Sequence, residues 1–324
     1  MIVFKKHKSN SFHLLIIITL TGFFLRIYNL GKFGLWFDEI HSLIMAKNLW
    51  WIITHYFPMR MRNDFLYPTL LRFWILLGEG EFSLRFLSVI FGLFSIIGIY
   101  HLGKILFGQK IGLYSAFLFS ISPLHIYYSQ ELRSYSLFTF LTIASIYFLI
   151  RALREDKFKL WICFIISTVL CLFSHQASLL LLIIAENLFF ISVYKKYRNL
   201  VKKWVISQFV IFLLFLPTLP SLFNLMNSII KGKLLEWVPK TTGTIILQTF
   251  NVFNLGYTAN KSLYNLAFYI FIFLFVFGLC SIRQKTEELR LLIICFFSPF
   301  LLYASLKLDI YYIFPRHFLL RCRY

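Results

Sequence analysis

The stretch Leu84–Leu102, LRFLSVIFGLFSIIGIYHL, decides the fold. Apart from Arg85 near its start, it carries no Asp, Glu, Lys or Arg. A helix needs about 20 mainly apolar residues, at about 1.5 Å rise each, to cross about 30 Å of hydrocarbon. This stretch supplies them. Comparable runs lie near Phe12–Tyr28, Ile111–Tyr127, Tyr135–Ile150, Leu160–Phe173, Ser178–Tyr194, Trp204–Leu222, Leu263–Ile282 and Leu291–Leu306. A further run starts near Tyr311 but reaches Tyr324 too soon to cross, so the sequence reads as lacking C-terminal spans.

Composition agrees with the runs. The 324 residues are 59% hydrophobic and 14% charged, with a mean hydropathy of +0.75. A soluble chain is about half apolar and about a quarter charged. Forty Phe, eighteen Tyr and seven Trp would overfill one water-soluble core. The expected fold is an all-α polytopic membrane protein with about nine to ten transmembrane helices, forming one domain over residues 1–324. No separate soluble domain is left over.

The formal charge of +20 suggests nucleic acid at first, but the basic residues do not gather on one face. No nucleic-acid partner is expected. The cations sit in short clusters between runs: Lys104 and Lys110; Arg151, Arg154, Lys157 and Lys159; Lys195, Lys196, Arg198, Lys202 and Lys203; Arg283, Lys285 and Arg290. With a cytoplasmic N-terminus, every such cluster falls inside, as the positive-inside bias requires. The basic start at Lys5-Lys6-His7-Lys8 precedes an apolar run without a small-residue cleavage site, which reads as a retained first span of a plasma-membrane protein. The five cysteines have neither disulfide-scaffold nor metal-ligand spacing.

The other side receives two long loops, residues 29–83 and 224–262. Trp36, Trp50, Trp51, Trp74 and Trp237 fall in them, suiting interfacial helices at the headgroup level, particularly in the first loop. The acids Asp38, Glu39, Asp64, Glu79, Glu81, Glu131, Glu236 and Asp309 also fall outside. Asp38-Glu39 follows Leu35-Trp36-Phe37 and opens an amphipathic stretch to Trp51. An acid in that setting suits a general base that accepts a proton from a hydroxyl; it equally suits a helix cap. A second constellation is Tyr127-Tyr128-Ser129-Gln130-Glu131-Leu132-Arg133-Ser134-Tyr135. Arg133 there, and Arg85 at the mouth of the second span, carry the planar donor fork that fits a phosphate, or simply snorkel to the interface. Glu131 pairs with Arg133 in the plainer reading. His175 ends the fifth span, and Arg316 follows Pro315. Glu186 lies mid-span, where an acid costs about 2.5–3.5 kcal/mol to insert. The histidines form no metal-binding spacing, so no metal or other cofactor is assigned, and a divalent cation has no support in the sequence.

The order of these pieces resembles the GT-C superfamily of membrane glycosyltransferases, specifically the dolichyl-phosphate-mannose protein mannosyltransferase-like group. The likeness rests on Arg26, Leu30-Gly31, Leu35-Trp36-Phe37-Asp38-Glu39 and Ser42. It continues through Glu81–Phe86, Gly103–Gly108 and Ser122-Pro123-Leu124-His125 to Tyr135. Weaker similarity covers His175, Trp237–Pro239 and Pro315-Arg316-His317. Group members commonly carry His-Pro-Pro in the first loop, where this chain reads Asn63-Asp64-Phe65-Leu66-Tyr67-Pro68.

The resemblance implies that Asp38 is the catalytic base with Glu39 in support. It implies that Arg85, Glu131, Arg133, Tyr135, His175 and Arg316 surround the lipid-phosphate of the donor. The implied reaction moves a sugar from a polyprenyl-phosphate-linked donor, held among membrane lipid, to an acceptor hydroxyl of a glycan, lipid or protein. It takes place on the extracytoplasmic side, with inversion. Three alternatives stand beside it: a lipid-linked-sugar flippase or transporter, a different lipid-oligosaccharide ligase, and an inactive truncated remnant. A ligase would carry a late external loop rich in Arg and His, and residues 224–262 hold neither. A transporter built of inverted repeats would show paired broken helices.

Overall fold

The computed structural model describes residues 2–48, 65–175, 178–216 and 261–295. Among these the secondary structure is helical, without strands. In chain order the helices are α1 (Ile2–Ile27), α2 (Phe37–Lys47), α3 (Leu66–Trp74), α4 (Glu81–Phe107), α5 (Gln109–Ser120) and α6 (Pro123–Ser129). They continue as α7 (Tyr135–Glu155), α8 (Phe158–Leu172), α9 (Ser178–Val193), α10 (Val201–Phe215) and α11 (Lys261–Ser281). Trp50, Trp51, Trp237, Arg316 and most of the loop 224–262 lie outside the described residues.

Among the described residues two helices, α4 and α7, are long and apolar enough to cross a membrane, while α8 and parts of α1, α9 and α11 are shorter apolar segments. The run Ile111–Tyr127, expected as one span, is two helices. Its first part, α5, has 12 residues, about 18 Å at 1.5 Å each. The cause is Pro123. Its ring disfavours helical geometry at Ser122, yet its fixed φ suits the first position of a new helix, so α6 begins there. Residues 29–83 hold the short helices α2 and α3.

The helices fall into two compact units. The first holds α1–α5, α6 from His125 onward, α7, α8 and α10. Within it α4 packs against α1, α5 and α7, α8 lies between α7 and α10, and α2 packs on α3. Ile96, Tyr100 and Ala116 form a core between α4 and α5, flanked by Leu15 and Ile18 of α1. The second unit contains α9 and α11, with a further helical stretch at 286–295. In this unit Lys196 pairs with Glu287, Arg290 donates to the Ser192 carbonyl, and Glu186 is buried.

The turn between α4 and α5 depends on glycine. Gly108 sits at φ 97°, a conformation that other residues rarely adopt. Gly112 lies so close to α4 that a Cβ there would stand 2.7 Å from the Tyr100 carbonyl oxygen and 3.0 Å from Lys104 N. Backbone atoms cannot swing aside as a side-chain tip can. Gly112→Ala is therefore expected to cost about 1–3 kcal/mol of overpacking and to lower the thermal midpoint. Gly278→Ala, whose Cβ would meet nothing within 4 Å, is the control and should leave the midpoint unchanged or raise it.

Candidate active site

Four local structures converge in the first unit: the start of α2, the start of α4, the turn between α6 and α7, and the end of α8. The adjacent acids of α2 meet opposite fates there. A helix turns about 100° per residue, so neighbours point to different faces. Glu39 faces inward and is 1% exposed. Its Oε1 accepts from Arg85 Nε (2.8 Å) and Leu132 N (2.8 Å), and its Oε2 from Arg85 Nη2 (2.7 Å) and Trp36 N (3.2 Å). Two carboxylate oxygens offer about four lone-pair sites, and all are used. The bond to Trp36 N also satisfies one of the amide donors orphaned at the start of α2.

Arg85 is equally committed. Besides Glu39 it donates through Nη1 to the carbonyls of Leu30 (3.0 Å) and Phe33 (2.7 Å), and through Nη2 to Gly34 (3.0 Å). A guanidinium has five N–H groups, and these bonds consume them all. Arg85 therefore has no N–H left for a further partner unless this clamp opens. It binds the loop before α2 to α4.

Asp38 is half-buried, and among the described residues its carboxylate accepts no hydrogen bond. Its backbone carbonyl accepts from Ser42 Oγ (3.1 Å) and from Arg133 Nη1 (3.3 Å). Arg133 Nη1 also donates to Ser42 Oγ at 3.2 Å. Unlike Arg85, Arg133 keeps spare capacity: its Nε is buried without a partner. The guanidinium stands 5.9 Å from the centre of the Tyr135 ring. That ring in turn lies against Tyr128 (4.6 Å) and His175 (5.6 Å), and His175 also meets Phe138 (5.5 Å). Glu131 is buried, and its carbonyl accepts from Arg133 N at 2.8 Å. Asp38, Glu39, Arg85, Glu131, Arg133, Tyr135 and His175 are thus brought into one neighbourhood.

The residues that hold the turn in place were harder to find by sequence. Gln130 Nε2 donates to the carbonyls of Arg26 (3.1 Å) and Tyr28 (2.9 Å), oxygens that the end of α1 leaves without helical partners. Arg26, 0% exposed, donates to the carbonyls of Gly22 (2.8 Å) and Ser120 (2.9 Å) and to His125 Nδ1 (2.8 Å). Arginine can only donate, so His125 Nδ1 is the acceptor and the neutral ring carries its proton on Nε2. Tyr67 of α3, 1% exposed, shares a 2.7 Å hydrogen bond with Ser88, whose hydroxyl donates to the Arg133 carbonyl (3.3 Å). Burial raises the Tyr67 phenol above its usual range, which keeps it neutral as a bonding partner. Thus Tyr67, through Ser88, buttresses Arg133. Among the described residues no group of three or more His, Cys, Asp or Glu is placed to hold a metal ion.

The model of the dolichyl-phosphate-mannose-protein mannosyltransferase family matches residues 65–221, just under half of the chain, and over that stretch the chain is similar to membrane glycosyltransferases of the GT-C type. The matched stretch includes Arg85, Glu131, Arg133, Tyr135 and His175, whereas Asp38 and Glu39 precede it. Proteins of that family use a lipid-linked sugar donor and an acceptor in a membrane. No curated protein and no solved structure matches the chain.

Proposed function

We propose that this chain is a multi-pass, single-domain transferase that moves a sugar from a polyprenyl-phosphate-linked donor to an acceptor hydroxyl. The reaction takes place at the extracytoplasmic surface with inversion at the anomeric carbon. The observation that carries the reading is the contrast between the two acids. Glu39 is saturated by Arg85 and backbone amides, while Asp38 keeps an open carboxylate next to an arginine with an unused buried donor.

Asp38 takes the proton of the acceptor hydroxyl as its oxygen forms the new bond to the anomeric carbon. The bond from that carbon to the lipid-phosphate oxygen breaks, and its electron pair leaves with the phosphate. The leaving group is the polyprenyl phosphate monoester, a stable anion, so no proton needs to be supplied to it. Fixed positive charge serves instead, because donors already aimed at the growing charge need no rearrangement. Arg133 fills that role through Nε, while its Nη1 bonds keep it against α2. Tyr135 and His175 form the aromatic wall beside it. Glu39 and Arg85 position α2, and Arg316 is a further candidate for the phosphate.

Replacing Arg133 by Ala tests the assignment. A hydrogen bond to a charged group is worth about 1.5–3 kcal/mol, so the KM for the lipid-phosphate donor is expected to rise about tenfold or more. The KM for the acceptor should change far less. Steady-state kinetics with each substrate varied in turn reads the difference, and a larger effect on the acceptor would move Arg133 to the acceptor side.

A further inference from the structure

The first unit has a second feature, remote from the acids. A groove of about 730 Å³ runs between α1 and α4, walled by Phe12, Ile16 and Leu20 on one side and Ile97 on the other. His101, Lys104 and Gln109 close one end. From Phe12 to Leu20 the α1 wall is about 12 Å long at 1.5 Å per residue, most of the about 15 Å depth of one leaflet's hydrocarbon. The hydroxyl of Thr19 bonds back to the Leu15 carbonyl at 2.8 Å, so this wall presents its apolar side. Lys104 lies about 28 Å along α4 from Arg85, which places it at the level of the opposite headgroups.

We propose that this groove binds one molecule of an anionic glycerophospholipid, with an acyl chain along α1 and its phosphodiester against Lys104, His101 and Gln109. Charge complementarity selects the ligand. Both Lys104 and His101 are exposed, and neither pairs with a carboxylate among the described residues. The Lys104 ammonium rests 5.7 Å from the Tyr100 ring centre, which fixes its direction without neutralising it. The Tyr100 ring also packs edge-on against His101 at 5.0 Å, bringing the ammonium and an imidazole N–H donor to one end. Among the described residues no acid lines the groove to receive the ammonium of a zwitterionic headgroup. The net negative lipid therefore gains the phosphate contact and leaves no charge of its own unpaired.

The test is photolabelling of the full chain in membranes with phosphatidylglycerol or phosphatidylcholine carrying a photoactivatable acyl chain, followed by peptide mapping. Phosphatidylglycerol should label residues 12–20 and 97–104 at least threefold more than phosphatidylcholine. Lys104→Gln should remove most of that excess, while Lys159→Gln, in another basic loop, should retain it. Equal labelling by the two lipids, or equal loss in both variants, would overturn the site in favour of general surface attraction. Displacement of the label by millimolar inorganic phosphate would overturn it in favour of a free-phosphate site. Binding is read directly, so none of these outcomes depends on sugar transfer.

Discussion

Asp38→Asn is expected to lower kcat for sugar transfer by about 10²–10⁴-fold, the range that a positioned base supplies, while leaving the protein as stable as the parent. The two halves of this result have separate physical causes. Asparagine is nearly isosteric with aspartate but does not accept a proton at neutral pH. Stability should hold because the Asp38 carboxylate accepts no hydrogen bond among the described residues. Its structural contribution comes through the backbone carbonyl that takes Ser42 Oγ and Arg133 Nη1, and that carbonyl survives the substitution. Changes at sites without such ties usually stay within about 0.5 kcal/mol. The thermal midpoint and the donor KM should therefore be close to the parent values. Full activity in Asp38→Asn would remove Asp38 as the base.

Arg85→Ala should do the reverse and cost the fold before it costs the chemistry. It strips two hydrogen bonds from Glu39 and leaves that carboxylate 1% exposed without its counter-charge. Breaking a buried pair in this way typically costs about 3–5 kcal/mol, a large share of the about 5–15 kcal/mol that holds a folded domain together. The carbonyls of Leu30, Phe33 and Gly34 lose their donors as well. Low yield of folded protein and a sharply lower thermal midpoint are the expected outcome. Arg85→Lys should rescue little, because an ammonium has three donors and no fork to span the sites of a guanidinium. A stable Arg85→Ala protein whose main defect is a raised donor KM would instead return Arg85 to the lipid-phosphate.

The helical, strongly apolar character was legible because it rests on local composition. Leu84–Leu102 and the runs like it can bury their backbone polar groups in no other way than as helices. The break at Ser122-Pro123 was equally local, but the apolar character of Ile111–Tyr127 masked it. The pair Asp38-Glu39 and the turn through Arg133 stood out by residue type. Sequence could not divide their roles. Which acid is saturated depends on where Arg85, Trp36 N and Leu132 N meet in space, and these come from separate segments of the chain. For the same reason two arginines that look alike on paper differ in the structure: Arg85 spends every donor on protein, while Arg133 retains a buried Nε. Gln130, His125 and Tyr67 stood in the quoted stretches without a role, and Ser88 lay inside an apolar run, because uncharged polar residues near span ends are common and their partners in other segments are announced by no pattern.

The most direct test is mass analysis of products formed by membranes carrying the full chain or its Asp38→Asn variant, each supplied with polyprenyl-phosphate sugars and, separately, nucleotide sugars. The expected result is an acceptor heavier by one sugar with a polyprenyl-phosphate donor and the parent chain alone. The same product from the variant, or transfer that proceeds only from nucleotide sugars, would contradict it.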